Sequence, residues 1–183
     1  MSTVKKICLC SVCVALCVIL PQAFHAVGLG WTFSPMHIPV LLCGLICGAP
    51  YGAVCGVIGP ALSCVITSMP SAPQLLHMIP ELVTYGLCAG LGMGLIRSGR
   101  LYADLYLTLV PAMLLGRIVG GVAQAMVYLS SAREYSIAMW AGSFLIATAP
   151  GAVVHLIVLP ILVLALMKAK VIPERYPLQK QPA

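Results

Sequence analysis

The chain is poor in charge. Of its 183 residues 8% are charged, and only four are acidic. Soluble domains carry about a quarter charged residues, so this composition lies outside their range. The acid shortage also removes a class of chemistry. Glu81 is alone within the apolar stretches, so no paired carboxylates are available for general acid–base work. A Gly-x4-Gly-Lys-[Ser/Thr] loop is missing as well, and the chain cannot cradle nucleotide phosphates by itself. Gly142-Ser143 with His155 suggests an intramembrane serine hydrolase. Yet no nucleophile elbow surrounds Ser143, and twelve residues would put the pair about 18 Å apart along one helix. An enzyme is not expected, and neither is a cofactor bound by this chain. Basic patches interleaved with exposed aromatics are also lacking, which argues against nucleic acid.

What remains is mostly apolar. Hydrophobic residues make up 61% and the mean hydropathy is +1.07. Nearly all charge is confined to Lys5-Lys6, Arg97 to Asp104, Arg133-Glu134 and Lys168 onward. Between these lie runs near the roughly 20 residues that a helix needs to cross the hydrocarbon core. Backbone polar groups must satisfy one another in lipid, so the runs are read as helices. The expected fold is all-α, an integral membrane bundle of six transmembrane helices over about 7–25, 36–48, 50–68, 75–96, 105–130 and 138–167. One such domain fills 1–170, with a tail at 171–183. Placing both termini in the cytoplasm puts Lys5, Lys6, Arg97, Arg100, Lys168, Lys170, Arg175 and Lys180 inside and only Arg133 outside. Lys5-Lys6 and the following apolar run also resemble a secretory signal. The small-residue stretch Ala23-Phe24-His25-Ala26 matches a cleavage site poorly, so the run is read as the first span.

The second span is the odd one. Its apolar run, Ile38 to Cys47, is short for a bilayer and is approached through Pro35-Met36-His37-Ile38-Pro39. Ala49-Pro50-Tyr51 leaves no room for a loop, which predicts a tight hairpin with the third span. Nine cysteines, an odd number in or beside apolar runs, do not form a disulfide framework and are read as small packing residues. Gly44, Gly48, Gly52 and Gly56, then Gly86, Gly90 and Gly94, then Gly116 and Gly120 repeat every four residues. Such spacing lets helices approach closely. Ser11-x3-Ala15, with Cys8 on the same stripe of the first helix, could instead present a smooth face to another protein.

Ionisable groups inside spans are costly, and function is their default explanation. Glu81, His77 one turn before it, Arg117 in mid-span and His155 qualify. Gln124 and Tyr128 follow Arg117 at offsets of 7 and 11, on one helical face. The offsets suggest that Arg117 lies about two turns deeper than Glu81. A mutual ion pair and direct substrate contact both remain open for these two. His155 reads as a packing histidine. Trp31, His37, Gln74, His77 and Trp140 collect toward the outer side.

The stretch "FSPMHIPVLLCGLICGAPYGAVCGVIGPALS", Met69-Pro70, "ELVTYGLCAGL" and "GRIVGG" together resemble the S components of energy-coupling factor (ECF) transporters. The resemblance runs over roughly residues 5 to 168. It implies a six-helix subunit of the bacterial cytoplasmic membrane that captures a vitamin-like molecule from outside. Its partners would be a transmembrane coupling subunit and two ATPases that use the ATP. The implied pocket, from the first external loop and the outer halves of helices four to six, matches Trp31, His37, Gln74, His77, Glu81, Arg117, Gln124, Tyr128 and Trp140. The family's Ala-x3-Ala docking pattern has Ser11 and Ala15 as its nearest counterpart. Nickel and cobalt S components begin with Met-His, whereas Met36-His37 is internal here and no histidine cluster replaces it. A small self-sufficient channel or structural membrane protein is the other alternative; the second and third spans offer a channel almost no polar lining. One arginine suits a carboxylate or phosphate-like group and the aromatics a heterocycle or aliphatic body. Pantothenate, lipoate-like acids and benzimidazole or cobalamin precursors all fit that description.

Overall fold

A computed structural model describes residues 1–26, 28, 35–130, 136–142 and 148–173. Seven helices lie among them: α1 (Thr3–Ala26), α2 (His37–Cys47), α3 (Ala49–Thr67), α4 (Ala72–Leu95), α5 (Leu101–Ser130), α6 (Ile137–Trp140) and α7 (Ala149–Lys168). Five of these, α1, α3, α4, α5 and α7, are long and apolar enough to cross a membrane. The chain is therefore a multi-pass, all-helical membrane protein. Large apolar side chains such as Val65, Leu95, Leu129 and Ile161 point outward, as expected where lipid replaces water around a bundle.

The remaining two helices refine the six-span reading. α2 has 11 residues, about 16 Å of rise, roughly half the hydrocarbon thickness. It packs against α1, α3, α4 and α7 at once, and all of its residues but Ile38 and Ile46 are buried. Neighbouring helices, not lipid, surround it, which is why a half-length apolar run is stable here. The stretch read as one span from 138 to 167 holds α6 and α7, with residues 143–147 outside the described residues. α6 stops at Trp140, and α7 starts afresh at Ala149-Pro150 after Thr148. Proline at the first turn of a helix lacks only an N–H that would have no partner anyway.

Gly48 makes the α2–α3 hairpin possible. Its φ of 100° lies in the left-handed region that side chains rarely adopt. The turn brings Gly44 and Gly52 onto the same neighbour: a Cβ at either position would sit 2.5 Å from the Gly86 carbonyl oxygen of α4. The four-residue glycine series is thus two helix faces closing on α4. The cysteines fill the other side of the hairpin. Cys10, Cys13 and Cys17 form a buried stripe on α1 and meet Cys43, Cys47 and Cys55. All nine cysteines are free thiols.

Chain direction defines two ends. At the terminus end α1 begins and α7 finishes; Cys47 donates to the Lys6 carbonyl there at 3.7 Å. α2 and α4 start at the far end, and α1, α3 and α5 finish there. Beyond Lys168 the chain turns back on α7. Val171 and Ile172 donate to the Leu166 carbonyl, and Ile172 is buried. The first residues of the expected tail are therefore folded against the bundle.

Candidate functional site

Helix α4 supplies the centre of the site. Glu81 lies nine residues beyond Ala72, about 14 Å into the helix, and is 4% exposed. One oxygen of its carboxylate, Oε1, has two partners. His37 Nε2, from the first turn of α2, lies at 3.3 Å, and the Tyr85 hydroxyl donates at 3.1 Å. Tyr85 is one turn along from Glu81, so both side chains leave the same face of α4. Behind them, His37 stacks on His155 of α7, with ring centroids 5.8 Å apart and planes 19° apart. It meets the Tyr85 ring edge-on at 5.1 Å. Three helices thus close on one buried carboxylate.

Helix α5 runs antiparallel to α4 beside this cluster, and its glycines make the room. A Cβ at Gly120 would lie 2.9 Å from Glu81 Oε2, and one at Gly116 would overlap the Tyr85 ring. These two contacts fix the register: Gly120 faces Glu81 and Gly116 faces Tyr85. Arg117 is therefore only about one turn deeper than Glu81, where the sequence offsets suggested two. The difference arises because α4 starts earlier than expected, at Ala72, which sets Glu81 deeper.

Arg117 nevertheless points elsewhere. It lies about 60–100° around the helix from the two glycines, on the side that α7 occupies. Its guanidinium donates through Nη1 to the Thr148 hydroxyl at the start of α7. It reaches the Tyr85 side chain and lies near Glu81, but among the described residues it makes no direct ion pair with Glu81. Trp140 covers the same face: its indole N–H donates to the Arg117 carbonyl at 3.3 Å, and its ring occupies the space above Gly121. Gln124 continues this face. Its Oε1 is shielded from solvent and has no hydrogen-bond partner among the described residues. Tyr128 follows, half-buried.

Two polar centres therefore stand side by side. One is a carboxylate held by imidazole and phenol. The other is a guanidinium on a neutral hydroxyl, with an indole and a buried amide along the same helix face. The second centre can accept an anion and the first can take a hydrogen-bond donor. Among the described residues no group of three or more His, Cys, Asp or Glu side chains is placed to hold a metal ion.

The remaining sequence candidates divide. His77 is half-buried one turn from Glu81 and within its electrostatic reach. Gln74 is drawn into the start of α4, where its Oε1 accepts from the Ser71 N–H at 3.1 Å and hydroxyl at 2.9 Å. Trp31 falls outside the described residues. Ser11 and Ala15 are exposed on the outer face of α1 with Cys8, opposite the buried cysteine stripe. Tyr85 and Thr148 were missed as site residues by the sequence reading. Tyr85 carried a signal, its four-residue offset from Glu81; Thr148 carried only its place before Ala149-Pro150.

Comparison with known families adds one result. The family described as "ECF transporter, substrate-specific component" matches residues 5–163, which includes every side chain placed above. No curated protein and no solved structure matches the chain.

Proposed function

Because the chain belongs to the substrate-specific components of ECF transporters, we propose that it captures a small vitamin-like anion at the far end of its bundle. That end would face outward, both termini would lie in the cytoplasm of a bacterial cell, and the chain would bind no cofactor. A transmembrane coupling subunit and two ATPases would supply the energy. The observation that carries this reading is the pair of separately partnered buried centres. An apolar bundle has no packing need for both a carboxylate and a guanidinium that do not touch, because each is costly to bury. A ligand bringing an anionic group to Arg117 and a polar group toward Glu81 or Gln124 would use both.

Transport and binding can be tested separately. Cells lacking uptake of a given vitamin would express the chain alone, or with a complete coupling module, and receive radiolabelled carboxylate vitamins. Concentrative uptake is expected only with the module. Concentrative uptake by the single chain would refute the reading and favour a self-sufficient transporter. A thermal-shift screen of the purified protein names the ligand, since saturation at 100 times Kd adds roughly 2.7 kcal/mol.

A further inference from the structure

Where α7 ends and α1 begins, the terminus end of the bundle holds a groove of about 410 Å³ lined by Met1, Lys5, Met167, Lys170, Ile172 and Pro173. Four of these residues are apolar and two are cationic. The fold-back after α7 builds the groove. Lys170 donates its backbone N–H to the Met167 carbonyl at 2.9 Å, and Val171 and Ile172 return to Leu166. This turn holds Lys170 at φ 56°, a conformation in which a helix end normally places glycine. A lysine there keeps the strain and lines the groove.

Among the described residues, neither Lys5 nor Lys170 has an ion-pair partner. Lys6 differs, since its ammonium lies over the Tyr51 ring at 5.7 Å. Among the described residues, the carboxylate near this end, Asp104, is fully buried and occupied by the Ser98 N–H and hydroxyl at 2.8 and 2.6 Å. Arg97, Arg100 and Lys168 add further positive charge to the same end.

We infer that the groove between Lys5 and Lys170 is a binding site for the phosphate headgroup of an anionic phospholipid. The two ammonium groups would hold the phosphate, while Met1, Met167 and Ile172 would line the glycerol and first acyl carbons. The ends of membrane-crossing helices lie at the depth of lipid headgroups, so such a ligand is always at hand. A water-borne phosphate would gain nothing from the apolar wall. This inference does not depend on the transport reading.

The test is native mass spectrometry of the full chain in a neutral detergent. Phosphatidylglycerol, phosphatidylcholine of equal chain length and inorganic phosphate would be offered in parallel. One phosphatidylglycerol per chain should be retained at least fivefold more than phosphatidylcholine. Lys5→Gln and Lys170→Gly should each reduce that retention at least fivefold. Lys170→Gly suits the left-handed turn and keeps the fold intact, and Lys6→Gln should change little. Equal retention of the two lipids, or no effect of the two variants, would overturn the proposal. So would displacement of the lipid by millimolar inorganic phosphate. Retention that emerges only after removing residues 174–183 would assign the groove to the chain's own tail and likewise overturn it.

Discussion

The imidazole of His37 and the carboxylate of Glu81 meet at 3.3 Å although 44 residues separate them in the chain. The contact ties the buried first turn of α2 to the middle of α4. It explains why the short helix begins with a histidine between prolines: the kinked entrance delivers a polar group to the bundle interior.

Partner choice predicts a pattern of energetic coupling. A double-mutant cycle between His37→Leu and Glu81→Leu should give about 1.5–3 kcal/mol, as expected for groups in direct contact. The cycle between Glu81→Leu and Arg117→Leu should give at most about 1 kcal/mol, because those two lack a direct contact. Thermal or chemical unfolding in detergent measures both. A larger coupling in the second cycle would show that the carboxylate and guanidinium are a structural ion pair.

The site glycines separate space from flexibility. Gly120→Ala would press a methyl against the Glu81 side chain at 2.9–3.0 Å, and overpacking of this kind costs about 1–3 kcal/mol. Gly94, with nothing within 4 Å of the same methyl, is the control. Gly94→Ala should be neutral or stabilising by about 0.5–1 kcal/mol. Unfolding midpoints of the two variants check this. Equal effects would mean that Gly120 is no closer to Glu81 than Gly94 is to its surroundings.

These contacts show where sequence reading stops. Helix positions follow from apolar runs and from the need to satisfy the backbone within lipid, so α1, α3, α4 and α5 were legible to within a few residues. Glu81, His37 and Arg117 stood out because ionisable groups are rare in such runs. Their partners did not, because contacts across helices depend on register and rotation. The spacing of Gly116 and Gly120 reads as helix–helix packing, yet these residues make room for Tyr85 and Glu81. His155 reads as a packing residue, and only the placement of α7 brings it onto His37.

The outer face of α1 predicts a separation of binding from transport. Ser11 and Ala15 are exposed, so Ser11→Trp or Ala15→Trp should leave ligand affinity within about twofold, since surface changes rarely exceed ±0.5 kcal/mol. The same variants should abolish uptake, because a bulky ring blocks close approach of a partner helix. Affinity in detergent and uptake in cells are the two readouts. Equal loss of both would show that the residues serve the fold.

Arg117 carries the sharpest prediction. Its described partner is the neutral hydroxyl of Thr148, and the nearby carboxylate is already engaged by His37 and Tyr85. A buried cation without a counter-ion in contact favours an incoming anion, and a hydrogen bond to a charged group contributes about 1.5–3 kcal/mol. Arg117→Gln should therefore weaken binding of an anionic ligand by that amount, roughly 10- to 150-fold, while the unfolding midpoint changes little. Amide analogues of the ligand, which lack the charge, should bind wild type and variant alike. Adding Glu81→Gln should not restore affinity, since the deficit is a missing donor and not an excess of negative charge. Calorimetric titration of the three proteins with acid and amide forms distinguishes the cases. Full affinity for the acid in Arg117→Gln, or its recovery in the double variant, would return Arg117 to a purely structural role beside Glu81.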